Sequence, residues 1–547
     1  MLGLIRSKDV GDTKPLRSAR AYPATIPLIA GIGCIVAAAP ALAENWKVSA
    51  SAGATETYTS NANYSVKELA QGDFVTSITG GLQINGEGAR VKLNGSISGT
   101  VSYYAGQNQN NSFAPAVNLS GTVEAIEKFL YVDARANVSQ TFISPFGAQP
   151  ADLVNATQNR YTSQTYEISP YVQGKLGLTD VTYLIRDDNY WTVASNYGNS
   201  STDVPNTYAN ALSASLNSAI KQGSWSLTYD RLYYSNGLAN AVNNPDAVQI
   251  GSGTTTTQIA RFIVTYQIDP FLQIAPRIGY EKDDFGLRST SDVVYGLGGQ
   301  WNPGDRTQVQ GFWEHRFFGD SYQLNISHRL PRASLSANFS RGLSSFPQLA
   351  LTIPAGAGVS QFVDAAFATR IPNPAERAAA VAQFLAASGL PPTLAAPVDF
   401  YATSLTLQQS ASLSMVILGA LNSISFSLFN VKSEAISGTG NVLPPALAFG
   451  QNNTQTGGGA AYSHKLSGST SLTANVTYST TTANSTTGPI ANTKSNNASG
   501  AVYLSTSFGP KTSGSTGVSF SQSRFPNSAI QGTTSALNVF AGINHTF

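Results

Sequence analysis

Apolar side chains recur at every second position through Tyr295–Arg341, YGLGGQWNPGDRTQVQGFWEHRFFGDSYQLNISHRLPRASLSANFSR. Tyr295, Leu297, Gly299 and Trp301 are followed, beyond a turn at Asn302–Arg306, by Val309, Gly311, Trp313, His315 and Phe317, with Gln308, Gln310, Glu314 and Arg316 between them. A third run carries Tyr322, Leu324 and Ile326 opposite Gln323, Asn325 and Arg329, and a fourth passes through Ala333, Leu335, Ala337 and Phe339. A period of two is that of a strand, whose successive side chains point to opposite faces. These strands are oily on one face and polar on the other, so the solvent each face meets decides the fold.

Composition narrows that choice. Of 547 residues only 11% are charged, with 49 Gly, 24 Tyr, 25 Phe, two Met and one Cys. Ordinary soluble domains are about a quarter charged, and a membrane helix bundle needs runs of about twenty apolar residues. The chain has neither property. A sheet with one face toward lipid and one toward water requires low charge, plentiful aromatics, many small polar residues and no long apolar run.

Residues 1–43 read as a secretion signal. Arg6, Lys8, Lys14, Arg17 and Arg20 form a basic start, Ile26–Ala38 an apolar core, and Ala41, Leu42 and Ala43 a cleavage site before Glu44. There is no twin arginine, which favours the general secretory route. Cys34 lies in the apolar core; as an alternative to a lipoprotein cysteine, cleavage at Ala43 removes it and leaves no disulfide or thiol chemistry. Cleavage also removes five of the 32 Lys and Arg and two of the 30 Asp and Glu, leaving 27 against 28. A nearly neutral chain lacks the broad basic surface that nucleic acid would need.

Alternation begins at Trp46 and is clearest in Val91–Tyr103, where Val91, Leu93, Gly95, Ile97, Gly99, Val101 and Tyr103 interleave with polar residues. Short links recur near Gly86, Ala125–Lys128, Gly177, Ala219–Gly223, Asp269, Asn302–Arg306, Leu330–Arg332, Gly419–Leu421, Leu466–Gly468 and Gly509–Lys511. Between them fall mostly longer loops rich in Asn, Ser and Gly, such as Ile143–Arg160, Trp191–Asn206 and Ser235–Gly253. Short turns on one rim and long loops on the other are the signature of an all-β, transmembrane, antiparallel up-and-down barrel of about 22 strands over 44–547. The final strand ends on Phe547, an aromatic of the kind that outer-membrane assembly machinery recognises. Lipid and lipopolysaccharide would be the barrel's surroundings.

Parity assigns the faces. A charge facing mid-bilayer costs about 2–4 kcal/mol, so charges of outward parity should lie at strand ends. Glu56, Asp187, Arg231, Lys282 and Arg341 have that parity and are expected near the long-loop rim; His328, His464 and His545 are expected at the short-turn rim, and His315 at the opposite one. The expected lumen lining includes Arg90, Lys92, Glu124, Asp133, Arg135, Glu167, Arg186, Arg261, Arg277, Glu314, Arg316 and Arg329. Tyr131, Tyr171, Phe312, Phe429 and Tyr503 also point inward, to stack on sugar rings or simply to fill the lumen.

Residues 343–403 break the alternation. Two short helices are predicted, Ser360–Thr369 and Pro374–Ala387; for the second, Asn373 is the N-cap, Pro374 opens the first turn and Glu376 completes an approximate capping box. Val381, Phe384 and Leu385 form its apolar stripe. The loop either caps the barrel outside or enters the lumen, with Asp364, Arg370, Glu376 and Arg377 then lining a constriction. Strand one follows the leader directly, leaving no room for an N-terminal plug, which argues against a TonB-dependent transporter.

Trp301-Asn302-Pro303 with Arg306-Thr307, then Glu314–Gly319, then Ser327-His328-Arg329, resemble the uncharacterised outer-membrane barrels associated with the PEP-CTERM/exosortase system. Further matching stretches are Tyr58–Asn61, Asp133–Arg135, Arg277–Glu281 and Pro372–Arg377, whereas Asn302–Asp305 departs from the commoner form of its turn. The resemblance implies an outer-membrane barrel associated with exopolysaccharide production. It supplies no catalytic residue.

No HExxH, Walker, GxSxG or Cys/His ligand spacing is present, and Gly296-Leu297-Gly298-Gly299 lies inside a strand without a following helix. Neither catalysis nor a metal or other cofactor is expected. Two readings remain: a porin-like channel, with exopolysaccharide as a possible cargo, or a non-conducting barrel that anchors an envelope assembly.

Overall fold

A computed structural model describes residues 45–177, 179–196, 206–236, 254–285, 289–352, 358–368, 370–388, 390–391, 393–400, 402, 405–436, 452–484, 493–526 and 532–547. The expected leader, Thr369 and Leu178 lie outside them.

Alternation becomes 22 strands. The first eight are β1 (Asn45–Thr59), β2 (Asp73–Glu87), β3 (Val91–Tyr104), β4 (Ser112–Ile126), β5 (Leu130–Phe142), β6 (Arg160–Lys175), β7 (Thr182–Asn196) and β8 (Thr207–Ile220). Then come β9 (Gly223–Asn236), β10 (Thr254–Asp269), β11 (Leu272–Asp284), β12 (Ser289–Gly304), β13 (Thr307–Arg316), β14 (Gly319–Leu330) and β15 (Ala333–Ser344). The last are β16 (Thr406–Leu418), β17 (Asn422–Ala435), β18 (Asn453–Lys465), β19 (Thr470–Ala483), β20 (Lys494–Ser507), β21 (Thr512–Phe525) and β22 (Gly532–Thr546). Each pairs antiparallel with its sequence neighbours, and β1 pairs with both β2 and β22, with Ser51 opposite Thr546 and Thr59 opposite Asn538. The ring therefore has no free sheet edge. All ten short links fall between consecutive strands on one rim.

Exposure separates the two faces. Leu297, Trp301, Trp313 and Phe339 of the stretch first described are among a wide set of exposed large apolar residues on the outer surface. Inside, hydroxyls pair across strands, as in Thr79–Thr100 at 2.8 Å, Ser340–Ser410 at 2.7 Å and Thr477–Ser499 at 2.6 Å. At the short-turn rim three outward histidines bond a neighbouring strand: His328 with Thr307, His545 with Thr512, and His464 with Asn422. No helix among the described residues is long and apolar enough to cross a membrane.

The depth rule for outward charges holds for Arg341, which bonds backbone carbonyls of the β13–β14 turn at the long-loop rim. It fails for Asp187. That residue is the sixth of the fifteen in β7, and Ile185 and Trp191 stand exposed on the same face below and above it. A network answers its charge: Asn210 donates to Asp187 at 2.7 Å and to Asn189 at 3.1 Å, Asn189 donates to Asp187 at 2.9 Å, and Arg231 donates to Asn210 at 2.8 Å. Parity identified the face but not these lateral partners, which come from β8 and β9.

The insertion between Ser344 and Thr406 runs inside the ring. Three helices form along it: α1 (Phe346–Ala350), which the sequence reading lacked, α2 (Val359–Phe367) and α3 (Pro374–Ser388). Helix α1 sits at the long-loop rim, where Phe346 packs with Ile143, Tyr161 and Ala402. Helices α2 and α3 lie at the opposite end, because Val359, Phe362, Val363, Ala366 and Val381 pack on Val416 and Leu418, the inward residues at the foot of β16. Each Val, Leu or Phe side chain among them contributes about 1.5–3 kcal/mol on burial. Lys465, at the foot of β18, lies over the Phe384 ring at 5.6 Å.

Candidate functional site in the lumen

Three features occupy the barrel interior: charged clusters on the wall, the inserted segment, and a second loop across the mouth. The first cluster centres on Glu314 of β13, 1% exposed, which meets Arg277 of β11 at 3.0 Å and Arg261 of β10 at 3.1 Å. Arg261 also holds Asp230 at 2.8 Å. Arg277 and Glu314 stand on alternate strands, and the residue in register between them is Gly296. Without a side chain there, the two long groups meet over the intervening strand. Gly298, one tier along, serves likewise: a Cβ there would strike the Arg277 guanidinium, which lies 4.6 Å over the Phe312 ring. Nearby, Arg316 pairs with the fully buried Glu281.

A second cluster lies on β5–β7. Arg186 bonds Asp133 at 2.6 Å and Asp188 at 2.5 Å and approaches Glu167 at 3.5 Å, while Arg135 reaches Glu167 at 3.6 Å. Here too a small residue, Ser169, stands opposite Asp133 on the strand that the ion pair crosses. Tyr131 and Tyr171 stack at 5.0 Å, and Arg186 covers Tyr171 at 5.1 Å. Those ring faces and that of Phe312 meet protein partners, and Phe429 is buried, which fits lumen filling for each.

The predicted lining thus divides. Asp133, Arg135, Glu167, Arg186, Arg261, Arg277, Glu314 and Arg316 form the two clusters and the adjoining pair. Arg90, Lys92, Glu124 and Arg329 sit apart at the short-turn rim: Arg90 with Glu127 in and beside the turns, Lys92 with Glu87 at 2.6 Å, Glu124 accepting from the Lys128 amide, and Arg329 donating to the Asp305 carbonyl. They tie off turns.

The loop residues change role as well. Arg377 bonds Asp364 at 2.7 Å, clamping α3 to α2, and also donates to the Ile371 carbonyl. Asn373 donates to Glu376 at 3.4 Å in the expected capping position. Of the four, Arg370 is exposed with no ion pair among the described residues. What presses on the lumen is therefore helix bulk. From α3 the chain returns along the inner wall: Ser427 donates to the Ala395 carbonyl at 2.8 Å, Gln455 bonds both the amide and the carbonyl of Val398, and Thr141 donates to the Asp399 carbonyl. Tyr234 then donates to Ala402 across the mouth. Burial pushes the Asp399 carboxyl up to about 6.

The second loop, between β5 and β6, is expected from the sequence as one of the long loops, Ile143–Arg160, but without its destination. It reaches over to the β1–β22 seam and the strands beside it: Asn155 donates to Thr59 and Asn61, Asn538 donates to Asp152 and Asn155, and Gln149 meets Ser523 and Asn497. Burial raises the Asp152 carboxyl, opposed by amides of Asn155 and Val154 and by Arg160. Pro145, Pro150, Asp152 and Asn155 advertise an ordered turn-rich loop, but not its destination. Among the described residues no group of three His, Cys, Asp or Glu is placed to hold a metal ion.

Comparison with family models and with curated sequences yields no match. Solved barrels resemble the chain in outline. The FrpB iron transporter of Neisseria meningitidis aligns over 91% of this chain and 81% of its own at 10% identity, with a TM-score of 0.46. A ferric enterobactin receptor from Pseudomonas aeruginosa, solved with enterobactin, covers the same shares at 9% identity and 0.45. The siderophore receptor PirA from Acinetobacter baumannii scores 0.42 at 9% identity, over 91% of this chain and 80% of its own. At such distance their ligands say nothing of this chain's.

Proposed function

We propose that the chain is an outer-membrane channel whose lumen is obstructed at rest by its own insertion between β15 and β16. The observation that carries this reading is the seat of α2: buried helix residues cover an apolar patch, Val416 and Leu418, on the inner wall at the foot of β16. A lumen that stayed full of water would leave such a patch bare, whereas a helical plug matches it. The outward apolar surface supports membrane insertion, because a ring with no free edge and an oily exterior satisfies its backbone in lipid. With the wall charges paired among themselves, weak ion selectivity is expected. Exopolysaccharide, suggested by the exosortase-associated barrels that the sequence resembles, is the cargo in the finer form of this reading.

Planar-bilayer recording tests the channel. The wild type should show small, intermittent currents, and deletion of residues 359–389 should raise conductance several-fold. Absence of current from the folded deletion variant sinks the channel reading. The polymer role makes a separate claim: disruption in the producing cell should leave polymer in the periplasm, and unchanged secretion would refute it. The Asp187–Arg231 network on the outer surface favours a second reading, an anchoring barrel with a lateral partner, which predicts no current and co-purification of that partner.

A further inference from the structure

The wall of β10–β14 carries an amide array that no ion pair or turn explains. Gln267 stands opposite Gln273, Gln273 opposite Gln300, Gln300 opposite Gln310, and Gln310 opposite Asn325. Five inward amides thus occupy five adjacent strands in direct register, a run of about 19 Å at the usual strand spacing. Register-paired amides on one face are close enough to bond each other, yet none of the five forms a side-chain hydrogen bond among the described residues. Four of them line a cavity of about 310 Å³ together with Phe312 and Arg277. Asn325 also lines the adjoining cavity against Ala395–Pro397 of the inserted segment, so the array leads to the plug. Gln267 lies next to the short turn between β10 and β11, so the row starts at that rim.

The geometry points to a binding track for an uncharged polyhydroxylated chain, a neutral glycan, entering from the short-turn rim. Each amide offers two donors and an acceptor with two lone pairs, which suits a hydroxyl that donates and accepts in turn. The one charged residue in the cavity lining, Arg277, is neutralised by Glu314 at 3.0 Å, and the carboxylate nearest the rim end, Asp269, accepts from the Phe271 and Leu272 amides, so the track offers no cation for an acidic ligand. A repeating ligand also matches a repeating wall. The track rests on the channel reading for its role, but its ligand chemistry is measured separately.

The test is isothermal titration of the purified full-length barrel in detergent with maltoheptaose and with heptagalacturonate, an acidic oligomer of equal length. Maltoheptaose should bind saturably, and the acidic oligomer at least about tenfold more weakly. Gln300→Leu/Gln310→Leu should weaken maltoheptaose by about tenfold or more through the lost hydrogen bonds. Gln300→Thr/Gln310→Thr, at home in a strand, should do the same if the leucine pair misfolds. Asn94→Leu, an inward amide on β3, should leave binding unchanged. No saturable binding, equal binding of both oligomers, or indifference to both array variants overturns the proposal. Conductance of the 359–389 deletion variant separates the two claims: current there without binding by the full-length barrel retains the channel and refutes the track, and binding with no current from the deletion variant does the reverse.

Discussion

At the scale of single residues, the lumen wall is governed by what stands between two charges. Gly296 allows Arg277 to meet Glu314, which is almost wholly buried between two guanidinium groups. Removing one partner of a buried pair costs about 3–5 kcal/mol because the other charge is left uncompensated. Glu314→Gln should therefore lower the temperature at which the barrel loses its folded gel mobility, and Glu314→Gln/Arg277→Met should recover part of the loss. Asp399 titrates inside the plug. Its carboxyl is raised to about 6 from an ordinary 3.8, so the docked segment binds a proton more tightly than the undocked one. Docking is then most stable below the ordinary value and weakens as pH rises through about 6. Hydrogen-exchange protection of residues 393–400, taken relative to the unstructured-chain rate at each pH, should fall between pH 4 and 7 in the wild type, and Asp399→Asn should remove that fall.

Among elements, α2 and the foot of β16 form one unit. Val363→Asp places a charge against Val416 and should release the helices, seen as larger and less intermittent current. Conversely, Cys34 is the chain's one cysteine, so Ala395→Cys/Ser427→Cys in a Cys34→Ser background offers a clean cross-link between the return segment and β17. The oxidised form should carry the small wild-type current without excursions, and reduction should restore them. On the outer face, Asp187→Leu leaves Arg231 without its acid across Asn210. Folding into lipid vesicles should suffer by about 2–4 kcal/mol at most, and Asp187→Leu/Arg231→Leu should regain much of it.

For the whole molecule, legibility followed the period of two. Strand number, turn rim and face assignment could be read because parity and turn chemistry are local, and the insertion betrayed itself by breaking the period. Its destination was not readable: Val416 and Leu418 look like any alternating pair until α2 is seen against them. The loop between β5 and β6 was hidden for the same reason, since Asn155 finds Thr59 and Asn538 only after the ring closes. Of the twelve charges named from the sequence as lumen lining, eight gathered in wall clusters, while Arg90, Lys92, Glu124 and Arg329 tied off turns, because parity reports a face but not a height. A lumen with its wall charges mutually paired predicts nearly equal cation and anion permeability, checked by the reversal potential of the 359–389 deletion variant in a salt gradient.

The chain by itself determined an edge-free sheet with an oily exterior, since alternation, low charge and alternating loop lengths are all written in neighbouring residues. The tertiary structure decided what fills it. Which charges meet across a glycine, where a helical insertion seats and which amides stay unpaired all depend on side chains brought together from distant strands. Contacts of that kind have no period along the chain.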